Sequence, residues 1–151
     1  MNYMRLRIVL LTLVILIIVG AMMFSAQNPQ RRYISAQIGS QTFRLRVAGD
    51  AEERAQGLGG VAALTQNEGM LFAFPDDGLH GIWMKDMRIP IDILWLSNGF
   101  QVVDFAEKVS PDSFPRVFTP ATPARFVVEL SAGAKKASGV GLRDTVQLFE
   151  Q

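Results

Sequence analysis

The 151-residue chain contains no cysteine. That absence excludes disulfides, thiolate nucleophiles, cysteine-ligated zinc and a bacterial lipid-anchor cysteine. It does not fix the redox compartment, because a chain of this length can bury enough core to fold without bridges. Histidine is nearly absent too: His80 stands alone. A histidine-rich metal site is therefore excluded within one chain, and no metal is predicted. A Ser-His-Asp triad would rest on His80 as its single base, and no nucleophile-elbow sequence accompanies it; a lone loop histidine reads as solvated. Neither GLGG at 57–60 nor GVG at 139–141 follows a strand and opens a helix at the spacing a phosphate-binding loop needs. Both read as turn glycines. Calcium-loop patterns, internal repeats and low-complexity tracts are also lacking, and no cofactor is implied. Charge of one sign is missing as well. The net charge is +1, and two of the 15 basic residues, Arg5 and Arg7, lie in an acid-free N-terminal segment, which leaves 13 basic against 14 acidic residues after Ala26. A domain so balanced has no electrostatic footprint for nucleic acid.

The most conspicuous feature present is Ile8 to Phe24, IVLLTLVILIIVGAMMF, 17 residues in which Thr12 alone is clearly polar. As a helix it would span roughly 26 Å, close to the ~30 Å hydrocarbon core of a bilayer. Arg7 can snorkel and Ser25-Ala26 can extend it. The run exceeds the ~7–15-residue apolar region of a secretory signal, and its exit (FSA, MFS, AMM) sets a large residue where cleavage needs a small one. Residues 1–26 thus read as an uncleaved single-pass anchor, with secretion after signal cleavage as the alternative. Arg5, Arg7 and the α-amino group slightly outweigh Arg31 and Arg32, which predicts a cytoplasmic N-terminus and a domain on the extracytoplasmic, periplasmic side of the inner membrane.

QNPQRR at 27–32 reads as a linker, and residues 33–151 as one β-rich domain. TFRLRV alternates, with Phe43, Leu45 and Val47 on one face and Thr42, Arg44 and Arg46 on the other, the mark of a half-buried strand. Asp50 with Glu53 has capping-box spacing for a helix of about two turns, which Gly57, Gly59 and Gly60 terminate. Strands are predicted in GMLFAF, HGIWMK, IPIDILWL, FQVVDFAE, ARFVVEL and TVQLF, with a break at Pro75-Asp76-Asp77-Gly78. Asn98-Gly99 marks a hairpin. Four prolines make 108–123 a loop, and AGAKKASG is at most a short helical turn. The expected fold class is mainly β: a compact β-sandwich or barrel-like domain with one short helix, preceded by one transmembrane helix.

Period-two reading then isolates three charges. In IPIDILWL, Ile89, Ile91, Ile93 and Trp95 share one face, while Pro90, Asp92, Leu94 and Leu96 share the other. Both faces are apolar, so the strand is central and covered on both sides, and Asp92 stands where a carboxylate is costly unless paired. Glu129 stands likewise on the face of Val127, and Lys85 shares its face with Trp83. Lys85 is the expected partner of Asp92, with Arg88 as runner-up. Two interpretations follow: an ion pair that fixes strand register, or a pocket whose polar groups converge among Trp83, Met84 and Phe72.

At these residues the chain resembles the domain-of-unknown-function 192 family, also called uncharacterised protein family 0127. The matching stretches are EERAQGL, EGMLFAF, IWMKD with IPIDILWL, VVELSAG and GLRDTV, in the family's order over about residues 42 to 149. Family motif positions fall on Glu53, Gly57, Leu58, Glu68, Gly69, Met70, Trp83, Met84, Lys85, Pro90, Asp92, Glu129 and Gly133. The resemblance implies a compact β-rich domain, in many bacterial members exported or membrane-attached, with no established activity. It also makes Glu68 a candidate beside Trp83, Met84, Lys85, Asp92 and Glu129. Two departures stand out. Gly59 replaces a methionine that an arginine soon follows in the family, and Asp86-Met87 replaces Asn-Thr.

The leading functional expectation is a membrane-tethered, non-enzymatic module that binds a small ligand or an envelope protein. The alternatives are a hydrolase-type enzyme using Asp92 or Glu129 with Lys85, and a scaffold with a buried ion-pair cluster. Two carboxylates would suit glycoside chemistry only at the right separation.

Overall fold

The structure is a computed structural model that describes residues 32–149. The expected anchor at 1–26 and most of the linker lie outside the described residues. Among the described residues, no helix is long and apolar enough to cross a membrane.

Among the described residues, nine strands and two short helices follow one another: β1 (Tyr33–Ile38), β2 (Gln41–Ala48), α1 (Ala51–Gln56), β3 (Glu68–Gly78), β4 (Ile82–Trp83), β5 (Ile91–Leu96), β6 (Val102–Val109), β7 (Val117–Phe118), β8 (Ala124–Ser131), α2 (Ala134–Ser138) and β9 (Gln147–Phe149). Seven strands form a mixed sheet in the order β6-β5-β8-β3-β2-β1-β9, and β4 pairs with β7 separately. Among the described strands, β2 and β3 alone pair in parallel; α1 and the segment after it make the crossover between them. The outer strands are joined as well. Thr145, just before β9, bridges Gln101, just before β6. Around it, Val102 N–H donates to Asp144 O and Val146 N–H to Phe100 O, each at 2.9 Å. The sheet therefore curls and closes on itself here, which leaves fewer unpaired edge groups than an open sheet would.

Strand alternation sorts the core into two clusters. Inside the curl lie Phe43, Leu45, Leu71, Leu94, Leu96, Val128 and Leu130, together with Ala134 of α2. On the outer face lie Ala48, Met70, Phe72, Ile91, Ile93, Trp95 and Val127, packed with Ile82 of β4 and with Leu58 and Met84 from the connecting segments. β5 is buried along its whole length, as a central strand apolar on both faces must be.

The hairpin at Asn98-Gly99 is formed by β5 and β6, with a loop of three residues rather than two. Phe100 N–H donates to Ser97 O at 2.9 Å and Ser97 N–H to Gln101 O at 2.8 Å. Phe100, not Gly99, takes the left-handed conformation (φ 59°), the arrangement of a type I turn followed by one left-handed residue. Its ring stacks on Phe126 at 4.6 Å, a contact available to hold it there.

Several sequence expectations are corrected. The domain has two short helices, because AGAKKASG forms α2 between two left-handed glycines, Gly133 and Gly139. Pro75-Asp76-Asp77-Gly78 does not break the third strand but lies within it, where the pairing with β8 bulges between Ala73 and Gly78. HGIWMK contributes only two strand residues. YISAQI, unassigned from sequence, is β1, whose burial pattern is too mixed to show alternation. The 108–123 stretch is largely loop, with a 3-10 turn at Pro111–Ser113 and the short β7.

Candidate functional site

Asp92 and Glu129 point to opposite faces of the sheet. Asp92 continues the row of Leu94 and Leu96 at the end of the curl that α2 closes, and Glu129 continues the row of Val127 on the outer face. Their environments differ accordingly. Asp92, 0 % exposed, accepts three backbone hydrogen bonds: Oδ1 from Lys108 N–H at 2.8 Å, and Oδ2 from Gly133 and Lys135 N–H, each at 2.9 Å. It ties β5 to the end of β6 and to the start of α2. The expected Lys85–Asp92 pair is therefore not made, and Asp92 is satisfied by amides instead. Among the described residues no carboxylate lies within 4 Å of the Lys85 ammonium, and Arg88 makes no such pair either.

Glu129 is 4 % exposed, and its Oε2 has no hydrogen-bond partner. Burial pushes its carboxyl up to about 8, opposed by the positive charge of Arg46 and by a hydrogen bond to the Leu58 backbone. At neutral pH the acid is mostly protonated, because the cost of burying its charge outweighs the attraction of Arg46.

The surroundings of Glu129 form a cleft of about 230 Å³. Phe72 and Phe74 of β3 and Trp83 of β4 supply apolar surface, Arg54 of α1 and Lys85 supply charge, and Gly57 borders the carboxyl. The local sequence explains each placement. Asp50 caps α1 by accepting from Glu53 N–H at 2.8 Å, and the Glu53 carboxylate returns the bond to the cap, so the capping box is complete. Arg54 then reaches back from the helix to donate to Gly49 O at 2.7 Å and Ala73 O at 2.9 Å, which fastens α1 against β3 and holds the guanidinium near the Phe74 ring. Gly57 ends the helix at φ 53° and ψ −135°, a conformation open to glycine. A Cβ there would lie 3.3 Å from the Phe72 ring and 3.8 Å from Glu129 Oε2, so glycine also keeps the space before the acid clear. Arg46 fixes this corner by donating to Gly57 O at 2.8 Å.

Of the sequence candidates, the structure brings Trp83, Lys85 and Glu129 together at the cleft, with Phe72. Trp83 is 50 % exposed at the mouth, and Met84 is buried in the core beneath it. Glu68 is elsewhere, at the first residue of β3 opposite Arg44. Asp92 is on the other face. Arg46, Arg54 and Phe74 were not singled out by sequence. Arg46 stands in register with Met70 and Glu129 across three adjacent strands, but an arginine on the polar side of an alternating strand reads as solvent-facing unless the covering loops are known.

The two departures from the family pattern are accommodated locally. Asp86 has φ 58°, a conformation that asparagine and aspartate adopt more readily than other side chains, so the replacement keeps the backbone requirement. A Cβ on Gly59 would lie 2.9 Å from Gln56 O, so in this chain the turn is tighter than a methionine would permit.

The profile of the domain-of-unknown-function 192 family, described as "Uncharacterized ACR", matches residues 33–148. Among solved structures, a proposed transcription regulator from Sinorhizobium meliloti 1021 is similar at 25% identity and a TM-score of 0.75, over 80% of this chain and 97% of the other. A protein of unknown function from Novosphingobium aromaticivorans DSM 12444 is similar at 24% identity and a TM-score of 0.69, over 78% of this chain and 84% of the other. None of the curated proteins matches.

Proposed function

The chain belongs to the domain-of-unknown-function 192 family, and from that premise we propose that it is a small-ligand-binding module whose binding site is the Glu129 cleft. The observation that carries this reading is the orphaned Oε2 of a buried carboxyl whose residue lines a cleft. Buried polar atoms are nearly always hydrogen-bonded, and an exception calls for a reason; a ligand that supplies the missing partner is one. The cleft lies somewhat below the ~300–1,000 Å³ of drug-sized sites, which favours a compact molecule. The glycoside form of the hydrolase alternative loses its pair of carboxylates, because Asp92 is occupied on the opposite face; the form that uses Glu129 with Lys85 keeps both residues at the cleft. The transcription-regulator description of the Sinorhizobium protein finds no electrostatic support in this chain, with 13 basic against 14 acidic residues after Ala26.

We further propose that residues 8–24 tether the module to the inner membrane with the domain on the periplasmic side, on the strength of their length and flanking charge. Protease added to intact spheroplasts should then remove the domain, whereas full protection would contradict that orientation.

The binding reading is tested by a fragment screen by thermal shift on the full chain, with Glu129→Leu as counter-screen. Fragments that raise the native melting temperature by about 2 °C or more should lose that effect in the variant. Equal shifts in both proteins would place binding elsewhere and overturn the reading.

A further inference from the structure

We propose that the cleft selects small organic monoanions, a carboxylate carried on a flat apolar body, and seats the carboxylate between the Lys85 ammonium and the Glu129 carboxyl. The inference rests on the cleft being a ligand site and adds the class of ligand it takes.

Three features of the lining point the same way. The first is its charge. Arg54 and Lys85 are the basic residues of the lining, and Glu129 is its one acid. The Arg54 guanidinium donates to backbone carbonyls rather than to a carboxylate, and Lys85 has no carboxylate within 4 Å among the described residues. Two cations without counter-ions at a partly desolvated opening favour an anion.

The second feature is the orphaned Glu129 oxygen. Lys85 and Glu129 line the same space but are more than 4 Å apart, so no direct bond between them uses up either group. The charged groups around Glu129 are all basic: Arg46 on β2, Arg54 on α1 and Lys85 after β4, while His80 stacks behind Phe74 at 3.6 Å. In its protonated form, which burial favours, the Glu129 carboxyl is a hydrogen-bond donor. A carboxylate oxygen accepts that bond and also receives the Lys85 charge, which satisfies both groups at once. An amine would meet two cations and a neutral acid, with nothing to balance its charge.

The third feature is shape. Phe72, Phe74 and Trp83 give the cleft aromatic walls, suited to a flat ring or a short unsaturated chain. Trp83, half exposed at the mouth, is also a natural reporter, since the second tryptophan, Trp95, is buried with its indole N–H bonded to His80 O at 2.8 Å.

The test is a fluorescence titration of the full chain with three probes that share one ring: benzoate, benzyl alcohol and benzylamine. At pH 6.5 benzoate should bind at least ~10-fold more tightly than either of the others, and Lys85→Met should weaken it by about 10-fold, equivalent to ~1.4 kcal/mol. Benzoate binding should fall as pH rises above about 8, because an ionised Glu129 repels the carboxylate. Glu129→Gln, whose amide still donates, should keep binding and lose that pH dependence. Preference for benzylamine or benzyl alcohol would overturn the anion class and leave the cleft as a ligand site. No binding by any probe, with no effect of either variant on Trp83 emission, would overturn both.

Discussion

Two buried carboxylates stand one strand apart in this domain, Asp92 on β5 and Glu129 on β8, on opposite faces of one sheet. Sequence treats them alike, since each interrupts an apolar strand. The structure separates them by their partners. Asp92 accepts three backbone amides and closes one end of the curl. Glu129 keeps an oxygen without any partner and faces a cleft. A buried acid with a full set of donors is part of the architecture, whereas one left short of them costs stability that packing alone does not explain. The difference between the two faces lies in what the connecting segments do. On the Asp92 side the chain folds three amides onto the acid and uses both oxygens; on the Glu129 side the Leu58 backbone bonds the carboxyl but Oε2 is left without a partner among the described residues.

The largest effect expected from this contrast is at Asp92. Asp92→Ala strands three amide donors, each worth about 1–3 kcal/mol when left unmet in a buried place, so the domain should lose about 4 kcal/mol in urea unfolding. A loss below ~1 kcal/mol would erase the distinction between the acids.

Glu129 should behave in the opposite way. Its folded value is about 8 against an ordinary 4.5, so the folded state holds a proton that the unfolded state has released over that interval. Stability from this group is therefore full below about pH 4.5, declines by ~1.4 kcal/mol per pH unit as pH rises, and is lost above about 8. Glu129→Gln, neutral throughout, should be more stable than the native chain by about 3 kcal/mol at pH 7 and equal to it near pH 4.5. Parallel pH profiles for the two proteins would refute the unpartnered acid.

Smaller effects sharpen the boundary of the cleft. Gly57→Ala forces a side chain into φ 53° and toward the Phe72 ring, at a cost of about 2 kcal/mol, and should weaken benzoate by occupying the space before Glu129. Lys85→Met should change stability by less than ~0.5 kcal/mol, because the ammonium has no carboxylate partner among the described residues. A double-mutant cycle of Lys85→Met with Asp92→Leu should give coupling within ~0.5 kcal/mol of zero; a coupling above ~1 kcal/mol would restore the direct pair that the geometry excludes.

Much of this contrast was legible in the chain, and the parts that were not share a physical cause. Alternation in IPIDILWL placed Asp92 beside Leu94 and Leu96 and identified a strand covered on both faces. The Asp50–Glu53 spacing gave the capping box, and Asn98-Gly99 marked the tip of a hairpin. These features are local, set by periods of two or by contacts three residues apart. A charge partner for Asp92, such as Lys85, can be sought in the sequence, whereas backbone amides are carried by nearly every residue, and those of Lys108, Gly133 and Lys135 become donors to Asp92 only through tertiary folding. Arg46 and Arg54 were missed for a related reason. Alternation tells which face a side chain shares, but not whether a distant segment will cover that face. β1 escaped because its pairing with β2 and β9 is long-range information.

Whether Glu129 is a neutral acid lining the cleft is read from a ¹³C NMR titration of its side-chain carboxyl in the full chain. The midpoint should lie near 8 and move higher when benzoate is bound, because a bound anion favours the protonated form. A midpoint near the ordinary 4.5, unmoved by benzoate, would contradict it.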